Sequence, residues 1–127
     1  MRIAIDTNRY TDFARGDEHV LALLEQTDAV YMPFVVLGEL RAGFAVGSRG
    51  PHNERVLRQF CMRSGVEVLY ADDETISQYV AVYRQLRQQG TPIPTNDMWI
   101  AALVLQHDLT LLARDKHFDA LPQIPRA

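Results

Sequence analysis

Four short apolar runs, each followed or preceded by a longer stretch with helical periodicity, constrain this chain more than any other feature. The runs are Arg2–Ile5, Tyr31–Pro33, Val66–Tyr70 and Thr110–Ala113. Strands of this length alternating with helices predict an α/β fold: a central parallel sheet covered on both faces, three layers in all. Between the strands, Val20, Leu21 and Leu24 mark a helix after Gly16, and Leu37, Leu40 and Phe44 repeat at i, i+3, i+7 within residues 35–46. Gly47–Pro51 breaks that helix. Val56, Leu57, Phe60 and Cys61 mark the next, with Gly65 as its expected C-cap. Ile76, Tyr79, Val80 and Tyr83 then form the clearest amphipathic stripe, capped by Asp72 or Asp73 and stopped by Gly90–Pro94. Thr95 is placed to cap a last helix carrying Ile100, Leu103, Val104 and His107.

The 127 residues suffice for one core, so residues 1–127 are expected to form a single domain that needs neither disulfide nor structural metal. Hydrophobic residues at 47% and charged residues at 23% fit a globular protein and exclude a disordered tail. No apolar run approaches the roughly 20 residues of a membrane span, and only three apolar residues separate Met1-Arg2 from Asp6, too few for a signal-peptide core. The expectation is a cytoplasmic protein with no membrane contact. Cys61, the single cysteine, lies on an apolar stripe and reads as a buried, inert thiol. A net charge of -3 argues against a protein that coats polyanions, though it leaves room for nucleic acid handled at a local site.

The informative residues are acids. In an open parallel sheet, ligands bind beyond the carboxyl ends of the strands. Asp6 follows the first apolar run and Asp115 the last, while Glu39 and Asp97 lie near helix starts that open onto the same edge. Each alone has an ordinary explanation as a cap, a turn former or a solvated charge. Together they would repel, since a unit-charge pair near 4 Å costs about 4 kcal/mol at an effective dielectric near 20. Either some hold protons or hard divalent cations sit among them. With no His or Cys in register, an oxygen-only set selects Mg²⁺ or Mn²⁺ and fits phosphodiester chemistry. None of the four His is assigned a catalytic part. Thr7 and Asn8 are candidates to orient Asp6 or a water, and Gly43, one turn after Glu39, allows close approach. Arg114 and Lys116, with Arg9 and Arg41 nearby, are candidate phosphate contacts, each with an ordinary surface role as the alternative.

Through these residues the sequence resembles the PIN-domain ribonucleases, in particular the VapC-type toxins. The matching segments are Ile5-Asp6-Thr7-Asn8, Glu39-Leu40-Arg41-Ala42-Gly43, Asn96-Asp97-Met98-Trp99-Ile100-Ala101-Ala102 and Arg114-Asp115-Lys116-His117-Phe118. The resemblance implies a three-layer α/β/α PIN-like domain and metal binding by Asp6, Glu39, Asp97 and Asp115. It also implies a homodimeric toxin that cuts RNA and is silenced by a small antitoxin. Where the family usually places Thr or Ser two residues before its last acid, this chain has Ala113.

In this reading Asp6, Glu39 and Asp97 hold one ion, and Asp115 completes a second position or places the attacking water. The antitoxin would lay an apolar segment on Val35, Val36, Leu40 and Phe44, unless these are core, and send a basic side chain toward the acids. Two other readings compete. A dehalogenase-type phosphatase would use Asp6 as nucleophile but needs a second Asp where Asn8 stands. A non-cleaving RNA- or protein-binding module has little reason to keep four mutually repelling acids.

Overall fold

The computed structural model describes residues 1–127. Four parallel strands, β1 (Arg2–Ile5), β2 (Ala29–Pro33), β3 (Val66–Leu69) and β4 (Thr110–Leu112), form one sheet in the order β3-β2-β1-β4. Ile3 of β1 stands beside Val30 on one side and Thr110 on the other. Ile3, Ala4 and Ile5 are fully buried, as a strand covered on both faces must be.

Six helices connect the strands: α1 (Thr7–Ala14), α2 (Glu18–Glu25), α3 (Phe34–Val46), α4 (Gly50–Cys61), α5 (Asp73–Gln89) and α6 (Thr95–His107). Steps from β1 to β2 to β3 move one way across the sheet, and the step from β3 to β4 reverses past β1. Right-handed crossovers therefore set α1–α4 on one face and α5–α6 on the other, in line with the packing of α1 on α2 and α3, α3 on α4, and α5 on α6. The order reverses at β1, so the crevice between β1 and β4 is the place where such sheets bind ligands. No helix is long and apolar enough to cross a membrane.

Several local expectations change. Asp72 does cap α5, in a reciprocal capping box with Thr75, and Gly90 ends it in the left-handed region at φ 69°. Pro94, not Thr95, precedes α6, and Thr95 is its first helical residue. Gly65 is not the cap of α4, whose C-cap is Met62; it sits in the turn into β3 at φ 83°. Of the stripe expected to bury α5 only Tyr79 packs against the core; Ile76, Val80 and Tyr83 are 50%, 48% and 47% exposed, while Thr75, Val82 and Leu86 are buried. Conversely Val35, Val36 and Leu40 are core residues, which removes them as a free docking face and leaves only Phe44 partly open. Trp99 packs on Tyr79 at 4.3 Å between centroids, tying α6 to α5. Cys61 is half-buried and burial pushes its thiol up, in keeping with an unreactive group.

A single 3₁₀ turn, Lys116–Ala120, follows β4 and is anchored by Phe118, 1% exposed. The C-terminal segment straps it down. Leu111 donates to the Pro125 carbonyl at 2.8 Å, and Arg126 Nη2 donates to the carbonyls of Ala113 and Asp115 at 2.8 and 3.1 Å. Phe118→Ala is expected to cost about 3–5 kcal/mol, read as a lower urea midpoint. A loss under about 1 kcal/mol would show that this ring does not anchor the turn.

Candidate active site

Each acid is delivered by a different element. Asp6 leaves β1 and caps α1, its Oδ1 accepting the Arg9 backbone N–H at 3.2 Å, with only 6% of the residue exposed. Its own N–H still donates to Leu112 of β4 at 3.1 Å, so sheet pairing fixes where it stands. Glu39 reaches in from α3, and the Thr7 hydroxyl donates to its Oε1 at 3.2 Å. Asp97 lies in the first turn of α6, where helix N-terminal N–H groups favour negative charge. Asp115 caps the 3₁₀ turn, its Oδ1 accepting the His117 N–H at 2.8 Å.

The four carboxylates meet electrostatically. Burial holds the Asp6 carboxyl above its usual range; the N–H groups of Arg9 and Asn8 pull it back, and the charges of Asp97 and Asp115 push it up again. Desolvation likewise raises Glu39, against the Thr7 hydrogen bond and with the charge of Asp97. It raises Asp97 too, opposed by the His117 hydrogen bond and reinforced by Asp115. Asp97 thus acts on both Asp6 and Glu39, and Asp115 on Asp6 and Asp97.

Sequence reasoning missed His117. Nδ1 of this residue lies 2.8 Å from Asp97 Oδ2 and 3.0 Å from Asp115 Oδ1. Potential ligand atoms of Asp97, Asp115 and His117 all lie within 4.8 Å of one another, so a ring nitrogen stands beside two of the expected carboxylates. The available signal was the spacing of Asp115 and His117, which a 3₁₀ turn folds back on itself.

Other candidates divide. Thr7 touches Glu39 rather than Asp6, and Asn8 acts through its backbone N–H. Arg114 spends its fork on Asp12, with Nε to Oδ2 at 3.0 Å and Nη2 to Oδ1 at 3.2 Å; Arg9 Nη1 reaches the same carboxylate at 3.3 Å. Arg41 pairs through Nε with Glu54 at 3.3 Å on the surface. Lys116 is exposed beside Asp115. Nothing approaches Gly43, whose missing side chain faces open space.

Fold and site together define a three-layer α/β domain with an acidic centre at its topological switch point. The PIN domain family model matches residues 3–124, and the chain belongs to that family. It is 30% identical over 90 residues to ribonuclease VapC4 of Mycobacterium tuberculosis, a match covering 71% of this chain and 69% of that protein. The structure of VapBC-1 from nontypeable Haemophilus influenzae superposes on 100% of this chain and 97% of its own, with a TM-score of 0.87 at 24% identity. VapBC-5 of M. tuberculosis, a member of the VapBC family of toxin-antitoxin systems, matches 99% of this chain and 98% of its own, with a TM-score of 0.73 at 24% identity. These findings set aside the dehalogenase-type phosphatase.

Proposed function

We propose that this chain is a divalent-cation-dependent endoribonuclease and the toxin of a toxin–antitoxin pair. What supports the reading is that desolvation disfavours the charge on Asp6, Glu39 and Asp97, while the charges of Asp97 and Asp115 bear on Asp6 and that of Asp97 bears on Glu39. Membership of a family whose relatives are named ribonucleases supplies RNA as the substrate. A surface built only to bind has no use for such mutual repulsion, which speaks against the non-cleaving module.

The donor set fits a hard cation, because a divalent charge offsets what burial and like charge disfavour, and carboxylates suit Mg²⁺ or Mn²⁺. Asp6, Glu39 and Asp97 would hold one ion, with Asp115 completing a second position or orienting the attacking water. Such an ion supplies positive charge to a phosphodiester and makes water nucleophilic at neutral pH. The protein's own part is positional. The Arg9 N–H fixes Asp6, the Thr7 hydroxyl fixes Glu39, and Arg126 holds the loop carrying Asp115. Lys116 and the edge of Arg114 not committed to Asp12 remain to meet substrate phosphates.

Ala113 brings no hydroxyl to the strand end before Asp115, so that acid is the less supported ligand. Asp115→Ala is accordingly expected to lower cleavage by a smaller factor than Asp6→Ala, measured on a single RNA at saturating cation. Equal losses would contradict the ranking.

The antitoxin is expected to cover the groove of about 570 Å³ between α1, α3 and α4, where Phe44, Val56 and Ala14 give apolar surface and Arg15 and Arg49 a basic rim. The homodimer is expected on α5. Asp73, Ile76, Val80, Tyr83 and Arg87 lie along one exposed stripe, acidic at its start, apolar in its middle and basic at its end. An antiparallel two-fold through Val80 sets Asp73 against Arg87 of a second copy and closes the apolar middle on itself.

The test of function is RNA cleavage by the purified chain. Cleavage should stop with a chelator and resume with Mg²⁺ or Mn²⁺. Growth arrest on expression should disappear with Asp6→Asn and with coexpression of the adjacent reading frame. Undiminished cleavage in chelator would rule out the cation, and no cleavage with either ion would favour the binding module.

A further inference from the structure

His117 joins the acidic centre from a direction the acids alone do not supply. It is the second residue of the 3₁₀ turn, and the bond from its backbone N–H to Asp115 Oδ1 turns the ring back over that carboxylate. A surface histidine ordinarily satisfies itself with one acceptor. Here one nitrogen is within reach of two carboxylates from two elements, at 2.8 and 3.0 Å, and the second comes from α6.

Those separations have a second meaning. Neighbouring donors on an octahedral cation with bonds near 2.1 Å stand about 3 Å apart. Nδ1 is already that far from each carboxylate oxygen, so a cation that displaces the proton between His117 and Asp97 meets Nδ1 and both oxygens without rearrangement of the backbone that carries them. The Asp115 carboxylate is pinned by the His117 N–H, and the Arg126 strap holds the Asp115 carbonyl, so the backbone that carries both side chains is fixed.

We propose that His117 Nδ1 ligates a divalent cation together with Asp97 and Asp115, giving this chain a mixed nitrogen–oxygen position that prefers Mn²⁺ to Mg²⁺. The inference rests on the reading of these acids as a cation centre. Mg²⁺ binds oxygen and keeps its waters, whereas imidazole adds to the affinity of first-row transition ions. The acids alone would leave the two ions closer in affinity.

The experiment uses the intact chain and the metals alone. Mn²⁺ and Mg²⁺ binding is measured by calorimetry for the wild type, His117→Ala, His117→Gln and Asp97→Asn, and the Mn²⁺ complexes are examined by pulsed electron paramagnetic resonance. The wild-type complex should show directly bonded nitrogen, absent from both His117 variants. Those variants should lose Mn²⁺ affinity by about tenfold or more while Mg²⁺ affinity changes by less than about threefold. A wild-type Mn²⁺ complex without bonded nitrogen, or equal losses for both ions, overturns the ligand role while leaving the acidic centre intact. A wild type that binds neither ion, or Asp97→Asn binding both as the wild type does, overturns the cation centre itself and the proposal with it. Circular dichroism of each variant separates loss of a ligand from loss of fold.

Discussion

Asp6→Asn is expected to reduce RNA cleavage on the order of a thousandfold while making the cation-free protein more stable. The two effects share one cause. Asp6 is buried and sits among like charges, so its ionised form is disfavoured in the folded chain relative to the unfolded one. A carboxyl whose folded pKa is raised carries no penalty below its unfolded pKa, near 4, where both states are protonated. As pH rises through that value the unfolded state ionises first, and the penalty is complete above the folded pKa. Asn removes the charge yet keeps an Oδ1 to accept the Arg9 N–H, so the α1 cap survives. The melting temperature without divalent cation should therefore exceed that of the wild type at neutral pH, and the gap should close as pH falls through 4. A folded variant that cuts at the wild-type rate would remove Asp6 from the centre, and a variant less stable at neutral pH would refute the stored repulsion.

Val80→Glu is expected to convert a dimer into a monomer. Val80 is half exposed and contributes little to the core, so the substitution leaves the fold alone. On the proposed two-fold it would meet its own copy, placing two unpaired carboxylates in an apolar contact, which costs several kcal/mol. Sedimentation reads the result directly. The ends of the stripe give a finer check: Asp73→Arg and Arg87→Asp should each weaken association, and the double exchange should restore it. A Val80→Glu protein that remains dimeric would move the interface off α5.

How much of this was legible follows from what each signal encodes. The four apolar runs predicted the strands because a strand covered on both faces has to be apolar throughout, as Ile3, Ala4 and Ile5 are. Asp6 and Asp115 stood out for a topological reason, since residues just past such strands lie at the edge where open sheets bind ligands, whereas Glu39 and Asp97 were placed only by the helix starts they sit near. Periodicity, by contrast, reports that a helix has an apolar face and is silent about what covers it. Ile76, Val80 and Tyr83 therefore read as core while facing out, and α5 buries Val82 and Leu86 instead. The same ambiguity holds on α3, where the sequence leaves Val35 and Val36 open between docking surface and core, and burial decides for core. His117 escaped because no linear spacing of histidines pointed to it. Its place depends on a five-residue 3₁₀ turn and on α6 arriving from the far side of the sheet. Arg114 looked free to hold phosphate because its partner, Asp12, is 102 positions away in sequence.

The pairing of β1 with β4 joins the first strand to the last. Asp6 and Asp115 stand at the ends of those two strands, so they become neighbours only after everything between has been threaded through the sheet. A nascent or clipped chain that has reached β3 but lacks β4 possesses Asp6 and Glu39 with no opposing half. On the proposed reading such a fragment cannot yet cut RNA, so the activity would arrive only with the last strand and the turn that follows it.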